Sequence, residues 1–509
     1  MNSEKCPTKI FFGNNIKRNF LIFFIAFIII RLLLNFAIPV TDQTEGRYAL
    51  IGYEMVNKSD FLTPMFHHKG DFVAFKGKPP LAFWCEAFAI KFFGVNSFAV
   101  KLPSSLAAFL LLALIYFVLK RYKNSYVARN AVIFTGLSGL FFVYSGSVIV
   151  DMVLLFFIAS SLLAYMAFLE EKDKRIKIFW SIAVFIFAAG GFLTKGPIAI
   201  FEFGLPVFLW TLINKQWKGL RDHSWAWAIG PLLFFIIVIP WFYLSHKNDA
   251  NFLEYFFVNE NFKRFISKDY GDKYGAGREF HYFAAVWMFL LSTLPWVLLP
   301  IYSWFKKGQQ NIFKQFSWNI FKDPISGISL LAFSSITLFW SLTSRSPIHY
   351  LLPTIPMFAV YLAVKCDEKF EREKFVKNLM LGAWGMLILL TIGLSSMAVF
   401  VRFDNSTTKY VLGEVRELQK QYHSLQNSQV YFVRETPYSA YFYDHDLIIN
   451  HKNEAEDYSV KINENTQNIL IIRSKYLRRE KVKPLVKGRT IYPVGAWNII
   501  LPKEVNKNQ

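Results

Sequence analysis

Six short polar clusters in this chain carry side chains suited to acid, base or anion chemistry, and each lies at the edge of a long apolar run. The first reads Asp42-Gln43-Thr44-Glu45-Gly46-Arg47-Tyr48-Ala49. A carboxylate at such an edge is partly dry and easily tuned, which suits a general base or a cation ligand. The plainer reading is a helix cap, with Thr44 or Asp42 closing a helix from Gly46 to Val56. The second cluster is Lys76-Gly77-Lys78-Pro79-Pro80-Leu81-Ala82-Phe83-Trp84. Pro-Pro ahead of an apolar aromatic run starts a helix lying near a membrane interface. Lysines just before it can meet a phosphate together with the helix N-terminus, or simply snorkel to water.

The other four are shorter. Asp151 stands alone between Val148-Ile149-Val150 and Met152-Val153-Leu154, where an acid is costly unless it caps the next helix or does work. Lys195 lies in Gly190-Gly191-Phe192-Leu193-Thr194-Lys195-Gly196-Pro197, a tight turn that holds the lysine near the acids or a phosphate, or in water. In Asn259-Glu260-Asn261-Phe262-Lys263-Arg264, Glu260 and Arg264 are four apart on one helical face. They form either an internal ion pair or, through Arg264, a bidentate anion donor. In Ser344-Arg345-Ser346-Pro347-Ile348-His349-Tyr350, Arg345 and His349 are again four apart and either contact a phosphate or anchor the helix.

What must position these clusters is a set of membrane spans. The chain has 509 residues, 54% hydrophobic and 18% charged, below the ~25% charged of an average soluble domain. Eleven apolar runs are long enough to cross a membrane: 18–40, 102–119, 127–148, 152–169, 177–194, 197–213, 225–245, 281–304, 326–343, 348–365 and 378–401. The first run has the basic lead of a signal peptide but no small-residue cleavage site, so it reads as an uncleaved span.

The loops are of two kinds. One set is short and basic: Lys120-Arg121-Tyr122-Lys123, Lys172 to Arg175, Lys215 to Arg221, Lys306-Lys307 and Lys369 to Lys377, with Lys5, Lys9, Lys17 and Arg18 at the N-terminus. The positive-inside rule puts these in the cytoplasm. The alternate set, including outer loops 41–101 and 246–280, then faces outward, and all six clusters belong to it. Chance would scatter them over both faces, so a site at the outer interface is expected.

The net charge of +21 falls largely in these loops, and no zinc spacing, basic helix or aromatic-studded basic sheet suggests nucleic-acid binding. Three well-separated cysteines, Cys6, Cys85 and Cys366, imply neither a disulfide framework nor a cysteine metal site. Past about residue 402 the pattern changes. Val430 to Val433, Asn468 to Ile472 and Trp497 to Leu501 read as buried strands, and Val411 to Leu425 as an amphipathic helix. Residues 403–509 are expected to form a small α/β domain beside a spanning domain at 1–402.

The order of these motifs resembles the polyprenyl-phosphate-sugar glycosyltransferases of the GT-C membrane superfamily, nearest to the aminoarabinose transferases and the protein O-mannosyltransferases. That family's Asp-Glu-x-Arg-Tyr-Ala and Glu-Lys-Pro-Pro-Leu-x-x-Trp read here as Thr44 to Ala49 and Gly77 to Trp84. The Asp151-Met152 turn, Leu193 to Pro197, Glu260 to Phe265 and His349 to Pro353 follow in the family's order, and the resemblance covers about residues 18–365.

The resemblance implies a GT-C-like all-α membrane domain of about eleven or more helices, with interfacial helices in the first outer loop. It implies a glycosyltransferase that moves a sugar from a polyprenyl phosphate to a lipid, glycan or protein acceptor, with inversion. Glu45, Asp151 and Asp42 are the expected catalytic acids. Arg47, Tyr48, Lys78, Lys195, Arg264, Arg345 and His349 are expected to bind substrate or lipid phosphate. Together with the orientation it implies a multi-pass protein of a bacterial inner membrane, N-terminus cytoplasmic and C-terminal domain periplasmic.

Three positions depart from the family. Its first acid is Thr44 here, the Glu before Lys-Pro-Pro is Gly77, and its His is Asn261. The last two resemble metal ligands in the aminoarabinose branch, so no metal or other cofactor is expected at that place; a divalent cation elsewhere stays open. The rival classes are a secondary transporter or lipid flippase, which place ionisable residues near mid-membrane, and a non-catalytic relative.

Overall fold

The computed structural model describes residues 16–68, 71–216, 224–264, 274, 279–305, 318–403, 406–434, 436–448, 468–480 and 482–503. Lys5, Cys6, Lys9, Lys306, Lys307, residues 217–221 and Phe265 lie outside the described residues.

Helix α1 is Ile16–Ala37. The first outer loop then builds α2 (Thr44–Asn57), an antiparallel hairpin of β1 (Met65–His68) and β2 (Asp71–Ala74), and α3 (Leu81–Phe93). Next come α4 (Ser97–Tyr122), α5 (Ser125–Gly136), α6 (Gly139–Tyr144), α7 (Val150–Glu170), α8 (Lys174–Lys195), α9 (Pro197–Asn214) and α10 (Ser224–Asn248). A π-helix at Glu254–Lys263 precedes α11 (Ala284–Ser292), α12 (Leu298–Phe305) and α13 (Pro324–Ser341). A 3-10 turn at Ile348–Leu351 leads into α14 (Thr354–Lys369), and α15 (Arg372–Phe403) closes the bundle.

Local chemistry sets many of these boundaries. Asn96, Asn124, Asp173 and Asp323 each accept a hydrogen bond from a backbone N–H in the first turn of the helix they precede, satisfying donors the helix leaves open. Gly196, at φ +81°, ends α8, and Pro197 opens α9. A Cβ at Gly196 would lie 2.6 Å from the Phe256 ring, so the turn also requires glycine for packing. The expected cap by Thr44 or Asp42 is not what forms: α2 begins at Thr44 after Gln43, with no side-chain cap.

Among the described residues nine helices are long and apolar enough to cross a membrane. The two other expected spans, 127–148 and 281–304, each fold as two short helices. The first breaks at Leu137-Ser138, and the second around Thr293 to Val297, where Pro295 supplies no N–H. The first break is buried in protein, at Leu137 and Ser138, the condition under which irregular backbone is tolerated at membrane depth. Arg31, 1% exposed, reaches from α1 to the first broken segment. It donates to the Ser145 hydroxyl at 3.0 Å and the Val143 carbonyl at 3.2 Å. A Cβ on Gly146 would sit 1.6 Å from its guanidinium.

Loops at the two ends of the bundle form separate networks. At one end Arg121 pairs with Glu171 at 2.6 Å, Lys123 with Asp323 at 2.5 Å, Asn124 donates to Asp367 at 2.9 Å, and Arg372 pairs with Asp367 at 2.7 Å. Arg121, Tyr122 and the backbone N–H groups of Lys172 and Asp173 hold the Glu171 carboxyl down at about 2, against the upward push of burial. At the other end Lys76 pairs with Asp249, Trp241 donates to the Leu62 carbonyl at 2.9 Å, and the Tyr274 hydroxyl donates to the Ala74 carbonyl at 2.9 Å.

The tail holds α16 (Lys409–Gln421), β3 (Val430–Phe432), α17 (Tyr438–Asp444), β4 (Ile469–Arg473), α18 (Lys483–Val486), β5 (Ile491–Val494) and β6 (Trp497–Ile500). Its four-stranded sheet runs β3-β4-β6-β5, with β3 and β4 parallel and the other pairs antiparallel. The three expected strands are present and β5 is added at the edge. The tail shares a core with the first outer loop: Tyr441 and Phe442 join Ile51, Met55, Phe66 and Phe83 in one apolar cluster.

Candidate active site

All six polar clusters come together at the end of the bundle beneath the tail. Burial and pairing divide them into three groups.

The first is built on Glu260. The π-helix presents this acid, 7% exposed, and its Oε1 accepts from Lys78 at 2.6 Å and from Arg264 at 2.5 Å. Lys78 also donates to the Gly77 carbonyl at 2.7 Å. Burial pushes the Lys78 ammonium down, and Glu260 partly restores it. Burial would raise Glu260, but Lys78 and Arg264 outweigh it and hold its carboxyl below the usual range. Arg345, 6% exposed, donates to the Arg264 carbonyl at 3.2 Å and to Glu279 at 3.3 Å.

The second group is built on Asp151, at the start of α7. Lys195 from the α8–α9 turn donates to its carboxylate, and His349 lies 3.8 Å from the other oxygen. The Lys195 ammonium sits 3.7 Å above the Tyr350 ring, a cation–π contact. Tyr350 packs on Trp340, whose indole donates to Glu202 at 2.8 Å. The first two groups lie within electrostatic reach of each other: Asp151 senses Lys78, and His349 senses Arg264.

Glu45 forms the third. It is in the first turn of α2, and its Oε1 accepts from the Val148 N–H at 3.0 Å, three residues before Asp151. Its Oε2 accepts from the N–H and hydroxyl of Thr41 at 3.1 and 2.8 Å. Tyr144 lies within reach of both Glu45 and Asp151. Tyr48 is buried against Phe75 and Phe83 beside Asp151 and Lys195, and burial raises its phenol.

Two more of the expected residues hold neighbouring segments. Asp42 accepts from the backbone N–H and hydroxyl of Ser439 at the start of α17, which ties the tail to the first outer loop. Gly46 permits this approach, since a Cβ there would lie 2.9 Å from the Ser439 nitrogen. Arg47 donates to the Tyr274 carbonyl at 3.2 Å and lies over the Phe75 ring.

Glu202 and Tyr350 belong to the cluster, though the spacing of the motifs did not single them out. Glu202 lies within an apolar run, and only its contact with Trp340 and its closeness to Lys195 reveal it. Gly77 offers no side chain and its carbonyl accepts from Lys78, while the Asn261 amide donates to the Phe256 carbonyl at 2.8 Å.

Residues 77–244 match the family described as dolichyl-phosphate-mannose-protein mannosyltransferase. An uncharacterised protein of Aquifex aeolicus (strain VF5) is 26% identical over 463 residues, covering 89% of this chain and 92% of that protein. An undecaprenyl phosphate-alpha-4-amino-4-deoxy-L-arabinose arabinosyl transferase of Pseudomonas aeruginosa (strain LESB58) is 26% identical over 52% of this chain and 46% of its own length. The chain thus spans about half the length of the curated transferases it matches. The fold aligns with ArnT from Cupriavidus metallidurans, solved bound to undecaprenyl phosphate, at a TM-score of 0.74 with 15% identity, covering 96% of this chain and 99% of that one. The apo form of the same protein aligns at 0.73. The chain thus has the fold of ArnT, and in sequence it is similar to the aminoarabinose transferases and, over residues 77–244, to the mannosyltransferase family.

Proposed function

We propose that this protein transfers a sugar from a polyprenyl-phosphate carrier to a lipid, glycan or protein acceptor at the periplasmic face of a bacterial inner membrane, with inversion. The observation that carries the reading is the convergence of Lys78, Arg264 and Lys195, all buried or nearly so, at one end of an apolar bundle. Buried cations next to lipid favour an anion with an apolar tail, and a prenyl phosphate has both parts. The placement of the face rests on the basic loops around Arg121, Lys172 and Arg372, which lie at the opposite end among the described residues.

The chemistry is a single displacement. An acceptor oxygen attacks the anomeric carbon as the bond from that carbon to the phosphate oxygen breaks. The bonding pair leaves with the phosphate, and Lys78 and Arg264 neutralise the charge it gains. Glu45 takes the proton of an acceptor hydroxyl, or orients an acceptor that is already anionic. Asp151 holds Lys195 in place. Backside attack inverts the anomeric centre.

The test is mass spectrometry of lipids that co-purify with the protein in mild detergent, comparing the unmodified chain with Lys78→Ala. A polyprenyl phosphate bound to the first and depleted in the second supports the proposal. Failure of the unmodified protein to retain such a lipid, even when it is added, overturns it and directs attention to transport assays in vesicles.

A further inference from the structure

A second cluster lies at the far end of α2, where the first outer loop meets the tail. Glu54 is near the end of α2, His67 is on β1, and His445 follows α17 in the tail. One ligand atom from each converges, all within 4.8 Å of one another. Glu54 Oε1 lies 3.2 Å from His445 Nε2 and 3.7 Å from His67 Nε2. Two ligands held ~2.0–2.1 Å from a tetrahedral zinc are ~3.3 Å apart, so these spacings need little change to enclose an ion.

The surroundings favour a ligand over a plain ion pair. Glu54 is 1% exposed. Its Oε1 and the His445 Nε2 are both buried and face each other at 3.2 Å. Asn57 donates to the other Glu54 oxygen at 3.3 Å, which orients the carboxylate with Oε1 toward the two rings, as outer partners do around metal sites. The His67 ring is fixed by stacking on Tyr441, with centroids 4.6 Å apart. Two imidazoles and one carboxylate suit zinc better than calcium or magnesium, which take oxygen ligands.

We propose that Glu54, His67 and His445 form a zinc site that clamps the tail domain to the first outer loop. The site is separate from the Asp151–Lys195 cluster and does not depend on the sugar-transfer reading. Its ligands come from both sides of the joint between the tail and the membrane domain, so the ion fixes how the tail rests on α2. Glu45 lies in the first turn of that same helix.

The experiment uses the full chain, free of any polyhistidine tag. The protein is stripped with chelator, loaded with zinc chloride and dialysed, and its metal content is measured. About one zinc per chain is expected for the unmodified protein, falling at least ~10-fold in a His67→Ala, His445→Ala double variant. Zinc should raise the melting temperature of the first and not the second. Cobalt(II) bound to the unmodified chain should give the intense visible bands of a tetrahedral site, a reading that needs no variant. Zinc content at background in the unmodified protein, absence of those bands, or equal zinc in a folded double variant each overturns the proposal.

Discussion

Lys78 and Arg264 bind the same oxygen, Oε1 of Glu260. They come from different outer loops, yet one buried acid sets the position of both. The three groups together carry one net positive charge, and Glu260 keeps two like charges close together in a dry place. Glu260→Gln should therefore be among the most damaging single changes at the site. It leaves a buried lysine uncompensated, a loss of about 3–5 kcal/mol. Thermal unfolding in detergent should show a large drop. The folded-state value of Glu260 is depressed, so its contribution is present above the ordinary carboxylate range and is lost as pH falls through the folded value. The variant should be less stable at neutral pH and flatter across the acid range. An unchanged melting temperature would show that the shared oxygen contributes little.

Glu45 and Asp42 were both open as the catalytic base, and their contacts separate them. Glu45→Gln should lower turnover by ~10²–10⁴-fold, with the KM for a lipid-phosphate donor little changed. Asp42→Asn should instead loosen the tail, seen as faster proteolysis of residues 406–503, with a much smaller effect on turnover. Equal loss of turnover in both variants would refute the assignment.

Glu86 on α3 is 3% exposed, and one of its oxygens has no hydrogen-bond partner. Burial, aided by the nearby charge of Glu45, raises its carboxyl well above the ordinary value. Its folded value exceeds its unfolded one, so stability associated with this group is full at low pH and declines as pH climbs toward the folded value. Glu86→Gln should remove that decline and raise the melting temperature at pH 8 by ~2 °C or more. Melting curves from pH 5 to 8 that run parallel for the two proteins would contradict this.

Gly146 faces the Arg31 guanidinium with no room for a methyl group. Gly146→Ala should push Arg31 from Ser145 and Val143, at a cost of about 1–3 kcal/mol. In an Arg31→Met background the same change should cost much less, so a double-mutant cycle on melting measures the coupling directly.

Much of the bundle was legible because hydropathy and loop charge act over short stretches. The Lys195 turn follows from Gly196 and Pro197, and the Glu260–Arg264 pair from helical spacing. The breaks near Ser138 and Pro295 were not legible, because both lie inside apolar runs and hydropathy does not register a missing backbone hydrogen bond. Strand β5 was missed because Pro493 argues against a strand, and an edge position is where proline is tolerated. Glu202 carries no local signal inside its apolar run, because the group that donates to it, Trp340, is 138 residues away. Asp42 stood beside Glu45 as an alternative acid; nothing local in the sequence foretells that Ser439, 397 residues on, donates to its carboxylate. Pairings of this range are fixed by the completed fold.

The two ends of the bundle also differ in how open their charges are to dissolved ions. Arg121 and Arg372 are 51% and 52% exposed, whereas Lys78 and Lys195 are 11% and 8% exposed. Mobile counterions screen exposed pairs within ~3 Å at 1 M and reach buried pairs far less. Ionic strength therefore acts as a one-sided lever on this molecule, slackening the straps between loops at one end while the paired charges beneath the tail keep their grip.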